Sequence, residues 1–185
     1  KYIEFVNRDE SLDYNEQMQS LRNELKDLFE QENQLKKEVF NVSESIHAAL
    51  KIVQSKIFSN NVKVNLELDE MLKISGIKME LSQVIINIIN NSIDIFKERE
   101  INEKKISIKL FEKDSKTVLF LEDNGGGIKN ENLEKILDPY FTTKENGTGI
   151  GLYMVKLIIK NNFKGELKVI NNEKGLKFII LLNNF

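Results

Sequence analysis

Apolar residues change their spacing several times along this chain, and each change marks a new element. From Tyr14 onward, Met18, Leu21, Leu25, Leu28, Glu32, Leu35 and Val39 alternate steps of four and three, the seam of a coiled coil with one charged position. This predicts a helical segment over residues 1–39, either a dimerising helix or one packed on its own domain. The heptads stop around residues 39–42, and a second, compact domain is expected over residues 40–185. Ser43 can cap a helix whose inner face carries Ile46, Leu50, Val53 and Ile57. Residues 62–68 alternate as a strand, residues 78–97 have helical spacing, and residues 106–110 and 118–121 read as a strand pair turning near Asp114 and Ser115. A short helix over 132–137 precedes the single proline. Leu152, Val155, Ile158 and Ile159 then fit a helix ending near Asn161 and Asn162, and strands over 166–170 and 177–182 finish the chain. Strands mixed with helices in this way predict an α+β fold, a two-layer sandwich with helices on one face of the sheet.

Composition narrows the functional classes. The 27 basic and 29 acidic residues balance, so there is no broad basic face for nucleic acid or an acidic membrane surface. Cysteine is absent and histidine occurs once, which removes disulfides and thiolate metal sites and fits a reducing, cytoplasmic compartment. No apolar run is long enough to cross a bilayer, and no signal-like start is present. A soluble chain with no membrane contact is expected.

Polar residues interrupt the apolar pattern in four places. In the helix over 78–97, Asn87, Asn91 and Asp94 are spaced i, i+4 and i+7 and form one stripe, with Asn90 at its margin. Unpaired amides in a core cost roughly 1–3 kcal/mol each, so a stripe of them on an apolar helix suits a wet cavity or a ligand. Asp123 ends a strand and precedes Asn124, Gly125, Gly126, Gly127 and Ile128. A carboxylate beside bare backbone accepts an exocyclic amino group such as that of adenine and discriminates against a keto oxygen, while the glycines admit a planar ring.

Gly147, Thr148, Gly149, Ile150 and Gly151 open the helix at Leu152, where free amides at the positive end of a helix dipole suit phosphate. The run is neither a P-loop nor a dinucleotide fingerprint, because Tyr140–Asn146 replaces the strand that should precede it. The segment from Ile128 to Gly147 can fold over phosphates as a lid. Tyr140 and Phe141 anchor it, and Thr142, Thr143 and Lys144 offer hydroxyls and a cation to phosphate oxygens.

Taken in order and spacing, these four segments resemble the N, G1, F and G2 boxes of the sensor histidine kinase catalytic and ATP-binding domain, in the GHKL superfamily. The resemblance runs from about Phe40 to the C-terminus and implies a mixed sheet packed against helices, with ATP held between the helical layer and the lid. It implies that Asn91 coordinates magnesium, that Asn87 supports the phosphate and metal network, and that Asp123 binds the adenine amino group. Gly125 and Gly127 would line the base, and Ile128 and Leu152 would pack near the nucleotide. Thr143, Lys144, Gly147, Gly149 and Gly151 would surround the phosphates. Asp94 departs from subfamilies with a basic residue there, so Lys144 would have to meet the phosphate charge.

Relatives that hydrolyse ATP place a glutamate one turn before the magnesium asparagine, where this chain has Asn87. Transfer to a neutral imidazole needs no such base, so the expected activity is a protein-histidine kinase, with Asn87 and Lys144 in catalytic roles. His47 lacks the acidic neighbour of an acceptor histidine, and the acceptor is expected upstream or on a partner. The implied partners are a histidine-bearing dimerisation domain, a response regulator receiver domain and a second copy of the chain. Two alternatives remain open, a serine kinase of the anti-sigma type and a non-catalytic ATP-sensing module that dimerises through residues 18–39. The location would be cytoplasmic, including the cytoplasmic portion of a membrane-bound sensor.

Overall fold

In the computed structural model, residues 37–144 and 147–185 are described; the heptad helix predicted ahead of them lies outside the described residues. The chain runs β1 (Glu38–Asn41), α1 (Val42–Ser59), β2 (Lys63–Leu68), β3 (Lys73–Gly76), α2 (Lys78–Glu98), β4 (Lys105–Lys113) and β5 (Lys116–Asp123). It continues with α3 (Asn130–Leu133) and a 3-10 turn (Lys135–Leu137), then α4 (Gly151–Leu157) prolonged by a π-helical turn (Ile158–Asn162), β6 (Glu166–Asn171) and β7 (Leu176–Asn183). The unit Lys37–Phe185 is compact in itself.

Alternation along β4, β5 and β7 builds the sheet. Ile106, Ile108 and Leu110 of β4, Leu119 and Leu121 of β5, and Phe178, Ile180 and Leu182 of β7 are all buried on one face. The register stacks Ile108, Leu121 and Phe178 in one row and Leu110, Leu119 and Ile180 in the next. Period-two side chains make such a register self-correcting, because a slip by one residue would expose the whole set. The strand order is β2-β4-β5-β7-β6, parallel only between β2 and β4. Asp114 and Ser115 make the two-residue turn between β4 and β5 with φ of 51° and 57°, the left-handed pair that matches strand twist.

The helical layer covers the buried face. Helix α2 presents Leu81, Val84, Ile85, Ile88, Ile89, Ile93 and Phe96 to the core, the broad apolar stripe of a packed helix. Two serines bring α1 close to α2: Ser82 Oγ donates to Ser45 O at 3.1 Å, and Ser45 Oγ donates to Lys78 O at 3.3 Å. Both side chains are buried, and each hydroxyl is satisfied across or along the seam.

Three boundaries and the inner face of one helix differ from the sequence expectation. Val39, the last seam position, lies in β1, where it faces Ser75 of β3 and leaves its neighbour Phe40 buried. Helix α1 begins at Val42 with Asn41 in the cap position, so Ser43 is buried inside the first turn instead of capping it. Its inner face is Ile46, Ala49 and Val53, with Leu50 and Ile57 half-buried. The short helix splits into α3 and a 3-10 turn, shifted two residues toward Asn130.

Candidate functional site

Helix α2, the end of β5, the lid and the start of α4 surround a cleft of about 840 Å³, within the size range of small-molecule sites. Asn87, Asn91 and Asp94 line it from α2, Asp123, Gly127 and Ile128 from the glycine loop, and Phe141, Thr142, Thr143, Lys144, Gly147, Thr148, Gly149, Gly151 and Leu152 from the lid and α4. Gly125, Tyr140 and Ile150 are not on its surface. The space a Cβ would take at Gly125 is filled by Ile95 and Asp123, so packing against its own neighbours is enough to require a glycine here.

Asp123 is the most tightly specified side chain of the site, 7% exposed. Its Oδ1 accepts from the N–H of Gly125 at 2.8 Å and of Leu176 at 3.3 Å, and its Oδ2 accepts from Ser92 Oγ at 2.9 Å. A carboxylate has about four acceptor positions, so these bonds fix its orientation and leave capacity for a donor in the cleft. Burial pushes its carboxyl above the ordinary value of 3.8, against the opposing pull of these bonds and of the Arg99 guanidinium.

Arg99, just past the end of α2, donates from Nη1 to the carbonyls of Gly125 at 2.7 Å and Gly127 at 2.8 Å. It clamps the glycine loop from behind. Asn171 on β6 does the same at the loop's exit: its Oδ1 accepts from Ile128 N at 2.9 Å and its Nδ2 donates to Ile128 O at 2.7 Å. Gly127, at φ +65°, fits beneath that amide, where a Cβ would meet Asn171 Oδ1 at 2.5 Å. The lid closes on itself at its base, where Tyr140 N donates to Gly149 O at 3.1 Å. Both residues are left-handed, with φ of 63° at Tyr140 and 67° at Gly149, and a Cβ on Gly149 would strike the Tyr140 backbone. A tyrosine held in that region stores strain of about 1–3 kcal/mol.

The α2 stripe is already engaged. Asn87 Oδ1 accepts from Gln83 Nε2 at 2.9 Å, and Asn87 Nδ2 donates to Gly151 O at 3.3 Å, tying α2 to the start of α4. Lys144 reaches across the cleft to Asn91 Oδ1 at 2.8 Å and Asp94 Oδ2 at 2.9 Å. Two oxygens converging on one ammonium are hard donors suited to a divalent cation such as magnesium. In this structure the Lys144 charge, expected on phosphate, is paired with Asp94.

Sequence reasoning missed Ser92, Arg99, Asn171 and Gly175. Arg99 did carry a signal, as the only arginine after Arg22 in a chain otherwise using lysine. His47 stands on α1, 55% exposed, with Nε2 3.5 Å from Glu70 Oε1, and is not among the cleft-lining residues.

Fold and site together define a nucleotide-binding sandwich with a lid. Residues 76–184 match the family described as histidine kinase-, DNA gyrase B- and HSP90-like ATPase. The chain is 32% identical over 142 residues to the sensor protein TdiS of Thauera aromatica, covering 75% of this chain but only 26% of TdiS. It superimposes on the catalytic domain of the histidine kinase ThkA with a TM-score of 0.71 at 30% identity, covering 80% of this chain and 96% of that domain. It also matches ThkA solved in complex with the response regulator protein TrrA, at a TM-score of 0.70 and 26% identity, covering 92% of this chain and 49% of that one. The chain belongs to the histidine kinase-, DNA gyrase B- and HSP90-like ATPase family, as a histidine kinase catalytic, ATP-binding domain.

Proposed function

We propose that this chain is the phosphoryl-transferring part of a two-component sensor kinase, holding Mg-ATP in the cleft and passing the γ-phosphoryl group to a histidine outside the chain. The observation that carries this reading is the Asp123 carboxylate, buried and oriented by three protein donors with acceptor capacity left over. That arrangement selects an exocyclic amino group and rejects a keto oxygen, the distinction between adenine and guanine. Ile128 and Leu152 bracket the nucleotide, Thr143, Gly147, Gly149 and Gly151 face its phosphates, and Asn87 holds α2 and α4 at a fixed spacing around it. Tyr140, Phe141, Thr142, Thr148 and Ile150 keep the lid in shape.

Asn91 is the protein ligand for magnesium in this reading; the ion, when bound, neutralises phosphate charge and lowers the barrier to transfer. This chain's residues position and shield. No carboxylate stands at Asn87 to activate water, which favours a neutral imidazole as acceptor over hydrolysis. The acceptor belongs to a histidine-bearing dimerisation domain, upstream in the same protein or on a partner, and a response regulator's receiver domain takes the group onward. The complex of ThkA with TrrA supports that last partner. The heptad segment before Glu38 is then the lead-in from the dimerisation domain, and the assembly works as a homodimer. A cytoplasmic location suits this role, and among the described residues no helix is long and apolar enough to cross a membrane.

Titration with a fluorescent ATP analogue tests the site. Asp123→Asn and Asn91→Ala should each abolish magnesium-dependent binding, and full retention by both would refute it. With an added acceptor domain, labelled product should be lost in mild acid as phosphohistidine; an acid-stable product would make this a serine kinase instead.

A further inference from the structure

Asp94 places a negative charge on the wall that faces the phosphates in a Mg-ATP site, where an anion by itself would only repel the ligand. It stands one turn after Asn91 on the same face of α2, the i, i+3 spacing that sets two side chains side by side. The Lys144 ammonium sits between them, 2.8 Å from Asn91 Oδ1 and 2.9 Å from Asp94 Oδ2. The two oxygens are thus arranged around one cationic centre. Of the charged groups lining the cleft, Asp94, Glu98 and Asp123 are acidic and Lys97 and Lys144 basic. If Lys144 turned to a phosphate and nothing replaced it, Asp94 would confront the triphosphate as a bare anion, and like charges at that range repel strongly.

We propose that Asp94 is a second protein ligand of the nucleotide's divalent ion, and that Lys144 holds the ion's place until the nucleotide brings it. The inference rests on the cleft being a Mg-nucleotide site. Magnesium is bound through one or two carboxylates together with substrate phosphates, and Asn91 with Asp94 supplies a neutral and an anionic oxygen from one rigid helix. The exchange conserves charge locally: the ammonium leaves Asp94 for a phosphate oxygen as the ion arrives between Asp94 and the phosphates. Binding without metal should then be unusually poor, because the nucleotide must either meet Asp94 bare or forgo Lys144.

Equilibrium binding of a fluorescent ATP analogue to the whole chain, with magnesium and with EDTA, reads this as a ratio. In Asp94→Asn the ratio of the two affinities should fall by about tenfold, chiefly through tighter binding in EDTA. In Lys144→Met the ratio should rise, since the competing cation is gone. Paramagnetic resonance of manganese added with ADP supplies a direct readout: Asp94→Asn should weaken capture of the ion by about tenfold. An unchanged ratio in Asp94→Asn, with both affinities shifted alike, would mean that Asp94 only partners Lys144 and would overturn the proposal. Absence of binding by the wild-type chain in both conditions would overturn the nucleotide reading itself, and this inference with it.

Discussion

Ser92 donates its hydroxyl to Oδ2 of Asp123 at 2.9 Å, joining the middle of α2 to the last residue of β5. Both side chains are buried, at 3% and 7% exposure. The bond aims the carboxylate, because the other oxygen is already taken by two backbone N–H groups. Ser92→Ala should cost about 1.5–3 kcal/mol of stability, the range for a hydrogen bond to a charged group. It should also weaken nucleotide binding without abolishing it. Chemical denaturation checks the first, and a stability loss below about 0.5 kcal/mol would show that Ser92 does not hold the carboxylate.

Burial raises the Asp123 carboxyl above 3.8, so the folded chain binds more protons than the unfolded one between 3.8 and the raised value. Stability therefore falls as pH rises through that window and is level above it. Asp123→Asn removes this loss and keeps an oxygen for Gly125 and Leu176. The variant should be no less stable than the wild type at pH 7, with the difference shrinking in acid, although it no longer binds nucleotide. In the wild type, nucleotide affinity should drop on acidification through the raised value, because the protonated group has lost its acceptor. Thermal melts and binding titrations across pH read both effects.

Arg99 Nη1 serves two carbonyls at once, a geometry that a lysine ammonium on a different stem does not reproduce. Arg99→Lys should reduce nucleotide affinity by about tenfold, the size of one lost supporting hydrogen-bond pair of about 1.4 kcal/mol. Hydrogen exchange at Gly126 and Gly127 should quicken in the same variant. Unaltered affinity would confine Arg99 to a surface role.

Gly175 lies against the backbone and carboxylate of Asp123, where a Cβ would overlap both. Gly175→Ala should destabilise the fold by about 1–3 kcal/mol, as overpacking does, and shift the carboxylate. A melting temperature equal to wild type would contradict this contact.

Asp114 and Ser115 hold left-handed φ in the β4–β5 turn without being glycine. Ser115→Gly should stabilise the domain by about 1 kcal/mol, which corresponds to a rise of about 2–4 °C in a domain of this size. Calorimetry decides the matter, and no change or a fall would count against the turn geometry.

Helix α2 was legible almost to the residue because its buried face carries apolar residues at helical spacing from Leu81 to Phe96, broken only by Ser82 and Ser92. The β4–β5 hairpin was equally plain, since alternation and a two-residue polar turn agree. The ribbon of β1 and β3 was not. Each strand has four residues, and their pairing joins Phe40 to Ile74 across an intervening helix and strand, a contact that no local pattern announces. In the site, most of the motif residues line one cleft, and Gly125, Tyr140 and Ile150 are not among its lining residues. What stayed hidden were the braces: Ser92, Arg99, Asn171 and Gly175 act on backbone or carboxylate groups of distant elements, and their residue types are ordinary. The Lys144 bridge was hidden for the same reason, because it joins a lid residue to a helix fifty residues earlier.

The bond from Tyr140 N to Gly149 O turns this end of the lid into a ring that is tied off before any ligand arrives. A nucleotide thus meets a tethered circle and need not gather a free strand from solution. The entropy of closing such a circle grows only logarithmically, by about 0.6 kcal/mol for each doubling of its length. The circumference of that ring is therefore its most permissive property, whereas the knot at Tyr140 and Gly149 is its least.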